Sequence, residues 1–106
     1  MPEIAPARDT ERLEEVEVTL EVPRILCDTT GGRREVALRA ATIESALARM
    51  RAQWPILAAL VLDDAGAVRQ HVLLLHNGKL TRYLGSLDVP LREGDRLQIV
   101  QAVSGG

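Results

Sequence analysis

A single apolar helical stripe with strand-like stretches on both sides is the feature that most limits the folds open to this chain. Ile43, Ala46, Leu47, Met50 and Trp54 recur at i, i+3, i+4, i+7 and i+11, with Arg49, Arg51 and Gln53 off that face. This is the spacing of one buried side of an α-helix. Thr42 stands where an N-cap belongs. Pro55 disfavours helix at Trp54 and closes the element there, and Pro55 to Leu62 can open a second short helix with proline at its first position. Upstream, Val16, Val18, Leu20 and Val22 alternate with Glu17, Thr19 and Glu21, the period of a half-buried strand. Pro23 ends that ladder or sits at an edge. Arg34 to Arg39 alternates again with Val36 and Leu38 inward, and the turn cluster Asp28-Thr29-Thr30-Gly31-Gly32 joins the two runs into a hairpin.

Downstream, Asp63-Asp64-Ala65-Gly66 reads as a loop, and Val72-Leu73-Leu74-Leu75 as a central strand ended by the tight-turn pair Asn77-Gly78. Lys79 to Leu84 is expected to return as a short strand, and Gly85 to Pro90 to be irregular. Glu93-Gly94-Asp95 then turns the chain into a last strand, Arg96 to Val103. Its residues Leu97, Ile99 and Val103 share one face, and Gln98, Val100 and Ala102 the other. The order β-β-α-(short helix)-β-(β)-β predicts an α+β fold. One main helix crosses one face of a mixed sheet of four to five strands, with the final strand beside the first. This is the layout of a β-grasp, ubiquitin-like domain. It is expected over residues 14–103, after a loose extension over 1–13 and before a flexible tail over 104–106.

Composition narrows the chemistry. A chain of 106 residues makes one domain. With Trp54 and Tyr83 its only aromatics, the core must be built from Leu, Val, Ile and Ala. A net charge of −2 argues against a nucleic-acid binder. Cys27 is the single cysteine, too few for a disulfide, a zinc ribbon or an iron–sulfur cluster, so a ferredoxin is excluded. No apolar run approaches a membrane span, and the N-terminus lacks a secretory signal. The expectation is a cytoplasmic protein. His71 and His76 fall on opposite faces of one strand and are read as strand-end histidines, not a metal pair; no metal site is expected. Asp63, Asp64, Asp88 and Asp95 are read as turn residues, and Cys27 as an unreactive thiol, Arg24 being the one nearby group able to activate it.

The sequence closes on Ala102-Val103-Ser104-Gly105-Gly106. With no residue expected beyond Gly106, its α-carboxylate is free, and two glycines form the thinnest backbone a chain can offer. Such a tail, tied to a sheet by the strand before it, is able to enter a narrow active site in another protein.

The sequence resembles the MoaD/ThiS family of sulfur carriers, nearest to the CysO-type branch. The matching residues are Ile25-Leu26 with Thr30-Gly31-Gly32, Ala41-Thr42-Ile43, Trp54-Pro55, and His71-Val72 leading to Asn77-Gly78. They continue with Arg82-Tyr83-Leu84-Gly85-Ser86-Leu87-Asp88-Val89-Pro90-Leu91-Arg92-Glu93-Gly94-Asp95, running into Ile99 and the terminal Gly105-Gly106, and the stretch from Tyr83 to the terminus is the specific one. It departs from the family pattern at Gln101, often Pro, at Ser104, often Ala, and at His76, usually aliphatic. The resemblance implies a carrier and not an enzyme, with no bound cofactor and no catalytic residue of its own. A ubiquitin-activating-like adenylyltransferase and sulfurtransferase would use ATP to adenylate Gly106 and convert it to a thiocarboxylate, with Gly105 and Ser104 forming the tail. A sulfur-acceptor synthase would then take the sulfur for cysteine, molybdopterin, thiamin or a related product. A metalloprotease that trims the C-terminus completes the implied partners. Two other readings stay open: a ubiquitin-like modifier joined through Gly106 to lysines, and a non-covalent β-grasp interaction module.

The apolar run Val72 to Leu75 adds a surface. If Val72 and Leu74 face the helix, Leu73 and Leu75 face outward with Val100 and Ala102, a docking patch beside the tail rimmed by Arg82, Arg92 and Arg96.

Overall fold

The computed structural model describes residues 14–101. The expected loose extension over 1–13 lies outside them, as do Ala102, Ser104, Gly105 and Gly106. Within them the chain forms strands β1 (Val16–Glu21), β2 (Glu35–Ala40), β3 (Val72–His76), β4 (Lys79–Leu80) and β5 (Arg96–Gln101). Helices α1 (Ile43–Gln53) and α2 (Pro55–Val61) lie between β2 and β3. The sheet order is β2-β1-β5-β3-β4. β1 and β5 run parallel, with Leu20 opposite Leu97, and the other neighbours are antiparallel. The mixed α+β arrangement predicted from the pattern is therefore present, the last strand beside the first. The middle of the sheet is β5, not the Val72–Leu75 run, which lies one strand further out.

Alternation decides which side of each strand is buried. Val18, Leu20, Val36, Leu38, Val72, Leu74, Leu97 and Ile99 form one inner face, and Ile43, Ala46, Leu47 and Met50 of α1 close the core over it. Leu57, Ala58 and Val61 of α2 join the same core, which puts both helices on one side of the sheet. The start of α1 is doubly secured. The Thr42 hydroxyl accepts from the Ser45 amide at 3.0 Å while the Ser45 hydroxyl accepts from the Thr42 amide at 2.9 Å. Serine thus fills the reciprocal role that glutamate often has in a capping box. Two further helix amides are met from the irregular stretch, Ile43 by the Val89 carbonyl and Glu44 by the Leu87 carbonyl. Those donors have no partner inside a helix, so this stretch is held as firmly as an element.

Two local expectations need correction. The connection between β1 and β2 is not a bare turn. Arg24–Thr30 winds into a 3-10 helix ended by Gly31 at φ 72°, with Thr29 and Thr30 hydroxyls bonding back to the Leu26 and Cys27 carbonyls. Short hydroxyl side chains that bond three residues back stabilise such a turn, a signal that alternation does not carry. The return strand β4 is only two residues long, because Thr81–Tyr83 turns into a second 3-10 segment. The upper edge of β3 then lacks a neighbouring strand, and side chains serve it instead. The Thr81 hydroxyl donates to the Leu74 carbonyl at 2.9 Å, and Arg82 donates to the Gln70 carbonyl at 3.0 Å and the Val72 carbonyl at 3.4 Å. This protects an edge that would otherwise pair with another chain. Among the described residues no helix is long and apolar enough to cross a membrane.

Candidate functional site

The face of the sheet turned away from α1 is divided by chemistry. On β2 and β1 it carries Glu35, Arg39, Glu17 and Glu21. On β5, β3 and β4 it carries Val100, Leu73, Leu75 and Leu80, with Gln98 between the halves. Register sets this division: Glu35 pairs with Glu21, Glu21 with Gln98, Gln98 with Leu75, and Leu75 with Leu80. Leu73 stands directly opposite Val100, so their side chains meet on one face. Val100 is 37% exposed, and Leu73, Leu75 and Leu80 are half-buried. Neither helix covers them, since α2 is packed into the core on the other side. Three of the four expected docking residues are therefore brought together, and Ala102 lies outside the described residues. Leu80 joins them, a residue sequence reading missed because its place depends on the two-residue pairing of β4.

The expected arginine rim is corrected. Arg96 reaches from β5 toward β1 and β2, where Nη1 meets Glu21 Oε1 at 2.9 Å and Glu35 Oε2 at 3.1 Å. The hydrogen bonds it donates to Glu35 and then Glu21 hold its guanidinium pKa above the ordinary value. Arg82 is spent on the β3 edge, and Arg92 is exposed in the turn before β5.

β5 is anchored at its start by a cluster that strand-end reading did not find. His76 Nε2 lies 2.8 Å from Asp95 Oδ2, which also accepts from the Arg92 amide at 3.0 Å. Asn77 donates to Asp95 Oδ1 at 3.0 Å while its own side-chain oxygen accepts from the Arg96 amide at 2.8 Å. Asn77 (φ 51°) and Gly78 (φ 86°) adopt the left-handed backbone of a type I′ turn, and that turn delivers both His76 and Asn77 to Asp95. Burial pushes the Asp95 carboxyl upward, but the hydrogen bonds from Asn77, His76 and Arg92, with the His76 charge, outweigh it and bring it from 3.8 down to about 2. A carboxylate with a depressed native pKa stabilises the fold above its ordinary pKa, and that contribution is lost as the pH falls from about 4 to about 2. Asp95→Asn is expected to cost about 2 kcal/mol at neutral pH. It should flatten the acid limb of a urea-denaturation series between pH 4 and 2; an unchanged limb would rule the cluster out as its source.

The remaining candidates are dispersed. His71 is exposed and His76 is paired with Asp95, so the two do not converge. Cys27 is a half-buried free thiol in the first 3-10 helix. Asp63 closes its own loop by accepting from the Ala65 and Ala67 amides, as a turn residue does. Among the described residues no group of three His, Cys, Asp or Glu side chains could hold a metal ion.

The model of the ThiS family matches residues 20–106. The chain belongs to the ThiS family. The sulfur carrier protein CysO of Mycobacterium tuberculosis (strain ATCC 25618 / H37Rv) is 28% identical over 91 residues, covering 84% of this chain and 98% of that protein. Among solved structures, a chain of the Amycolatopsis orientalis BexX/CysO complex superposes with a TM-score of 0.74 at 27% identity, over 84% of this chain and 99% of that one. SAMP1 of Haloferax volcanii, a small archaeal modifier protein by name, superposes at 0.69 with 27% identity, over 85% and 99%. These neighbours establish the ubiquitin-like β-grasp for this ThiS-family chain. The family match runs through β5 to Gly106, so the sheet's middle strand is the one that leads to the tail.

Proposed function

We propose that this ThiS-family protein is a sulfur carrier whose reactive group is the Gly106 carboxylate. The observation that carries the reading is the placement of β5. The strand leading to Gly105-Gly106 is the middle strand of the sheet, clamped at its start by Asp95. It ends beside the apolar patch of Val100, Leu73, Leu75 and Leu80. A firm strand that ends at an apolar surface covered by neither helix suits a chain whose terminus is worked on by another protein.

A carboxylate is a poor electrophile. ATP in the activating enzyme supplies the missing leaving group: the Gly106 oxygen attacks the α-phosphorus, pyrophosphate departs, and a Gly106 acyl-adenylate forms. Hydrosulfide then attacks the acyl carbon, the C–O bond to AMP breaks, and a thiocarboxylate remains. Where the sulfur arrives as a persulfide, the first product is an acyl disulfide. A second thiol must then cleave it, leaving a disulfide on the enzyme. The thiocarboxylate sulfur is the nucleophile used by an acceptor synthase in making cysteine, molybdopterin, thiamin or a related product. No base or metal on the carrier takes part, and the cytoplasm supplies the ATP. A metalloprotease that exposes or renews the terminus completes the set of partners.

The test is intact mass and C-terminal fragmentation of the protein isolated from its host. A fraction with one Gly106 oxygen replaced by sulfur is the expected species. If neither a thiocarboxylate nor a conjugate forms after incubation with ATP and the host's activating enzyme, the reading fails. The likeness to Haloferax volcanii SAMP1 favours one second reading, a protein modifier; Gly106 found in isopeptide linkage to lysines would establish that instead.

The apolar patch carries its own expectation. Val100→Glu and Leu73→Glu should each raise the KM of the carrier in ATP–pyrophosphate exchange about tenfold or more, the equivalent of ~1.4 kcal/mol of lost docking. Equal KM values for wild type and both variants would place docking elsewhere.

A further inference from the structure

The two edges of the sheet are finished differently. On the β4 side the Thr81 hydroxyl and Arg82 occupy carbonyls of β3. On the other side β2 is the outermost strand, and among the described residues no strand pairs with its outer edge. The hydrogen-bond phase of β2 fixes which groups lie there. The Val22 amide donates to the Arg34 carbonyl at 2.7 Å, and the pairing with β1 continues in unbroken register from Glu21 and Glu35 to Val16 and Ala40. Val36, Leu38 and Ala40 therefore bond to β1. The N–H and C=O groups of Glu35, Ala37 and Arg39 point outward, since the two kinds of pair alternate along an antiparallel ladder. All three residues are exposed. The groups in the same phase to either side are already met. The Arg33 carbonyl accepts from the Thr30 hydroxyl at 2.6 Å, the Ala41 amide donates to the Ser45 hydroxyl at 3.1 Å, and the Ala41 carbonyl accepts from the Leu91 amide at 2.9 Å. The open stretch is thus Glu35 to Arg39, centred on Ala37.

Edge strands are commonly guarded by proline, by a bulge or by charge. β2 has neither proline nor glycine, and its charges, Glu35 and Arg39, are of opposite sign and equally spaced about Ala37. That order is complementary to itself. When a second copy lies antiparallel with Ala37 against Ala37, Glu35 of each copy faces Arg39 of the other. The three open residues of both copies then exchange their N–H···O bonds. Centring the axis on Glu35 or on Arg39 would set like charges against each other, so the charges select one register. Existing contacts leave room for it. Glu35 uses Oε2 on Arg96, and Arg39 uses Nη2 on the Glu15 carbonyl; among the described residues the other carboxylate oxygen and guanidinium nitrogens stay available. Glu35 also stands opposite Glu21 on β1, and a cation from the second copy would add to Arg96 in offsetting that like-charge pair.

We infer that the β2 edge takes a second copy of this chain, giving a two-fold dimer in which the two sheets join through Glu35 to Arg39 into one. β1 and β5 separate β2 from β3, so the apolar patch lies outside the dimer contact. The inference does not rest on the carrier reading.

Sedimentation equilibrium of the full chain tests it, at low ionic strength, where charge pairing is least screened. Monomer and dimer are expected to exchange with a Kd on the order of 100 µM. Arg39→Glu and Glu35→Arg should each raise that Kd about tenfold or more, because each sets like charges across the axis. Both substitutions are at exposed positions, and the thermal midpoints are expected to stay close to that of wild type. Mixed in equal amounts, the two variants should recover the wild-type Kd, since every cross-strand charge pair between them is again of opposite sign. In the wild type, hydrogen exchange at the Glu35, Ala37 and Arg39 amides should slow as the concentration rises. A chain that stays monomeric up to about ten times the expected Kd overturns the inference. A dimer that the charge swap neither weakens nor restores lies on another face and overturns it too. Protection of the three amides that is already complete in the dilute monomer would mean that the edge is covered within one chain, which also overturns it.

Discussion

Deleting Gly106 is expected to abolish adenylation and sulfur transfer while leaving the unfolding midpoint unchanged. The shortened chain still ends in a glycine carboxylate, so the chemistry of the group is preserved and only its reach is lost. One residue spans at most ~3.3–3.6 Å, and a misplacement of about 1 Å at a reacting centre costs on the order of 100-fold. The loss in kcat/KM for ATP–pyrophosphate exchange should therefore exceed about 100-fold. Stability should not follow, because the buried side chains of the described core all lie before Ala102. The same shortened chain activated like wild type would remove Gly106 from the reaction. A non-covalent interaction module would lose nothing from the deletion, which makes this variant the sharpest divider between that reading and the two covalent ones.

Leu97→Ala is expected to produce the largest loss of stability from a single side chain. Leu97 is 0% exposed on the middle strand of the sheet, with Leu20 opposite it on β1 and His76 opposite it on β3. Strands on both sides and α1 beneath leave the site little room to collapse. The cost should therefore fall in the upper part of the ~2–5 kcal/mol range for leucine truncation. That is roughly half of the ~5–15 kcal/mol that holds a small domain together. Val100→Ala, three residues along the same strand, should cost under about 1 kcal/mol because that side chain faces outward at 37% exposure. Urea denaturation of both variants decides the matter, read as a shift in midpoint at constant slope. A cost at Val100 equal to that at Leu97 would mean that the outer face is as buried as the inner one, and the docking patch would lose its basis.

The contrast between these two residues was legible in the sequence. Alternation by itself assigns Leu97 and Ile99 to one face and Gln98 and Val100 to the other, because side chains on a strand must point in turn to opposite sides. The same holds for the α1 stripe from Ile43 to Trp54 and for its stops at Thr42 and Pro55. It holds also for the Asn77-Gly78 turn, where the left-handed backbone suits few residue types. These are short-range constraints, set by a residue and its neighbours within four positions, and the residue types state them directly.

What required the tertiary structure is whatever joins residues distant along the chain. Leu80 belongs to the apolar patch only because β4 pairs at Leu75 and His76 and nowhere else. Arg96 faces Glu21 and Glu35 because β5 lies between β1 and β3; a sheet with the Val72 run at its centre would have put different partners beside it. His76, which by spacing alone is a strand-end histidine, becomes the partner of Asp95 across 19 residues. The sequence by itself determined the main helix, the longer strands and their inner faces, because those follow from local sterics and hydrophobic period. Strand order and strand length decided which charges meet and which apolar surfaces stay uncovered, because those depend on contacts that form only once the sheet is closed.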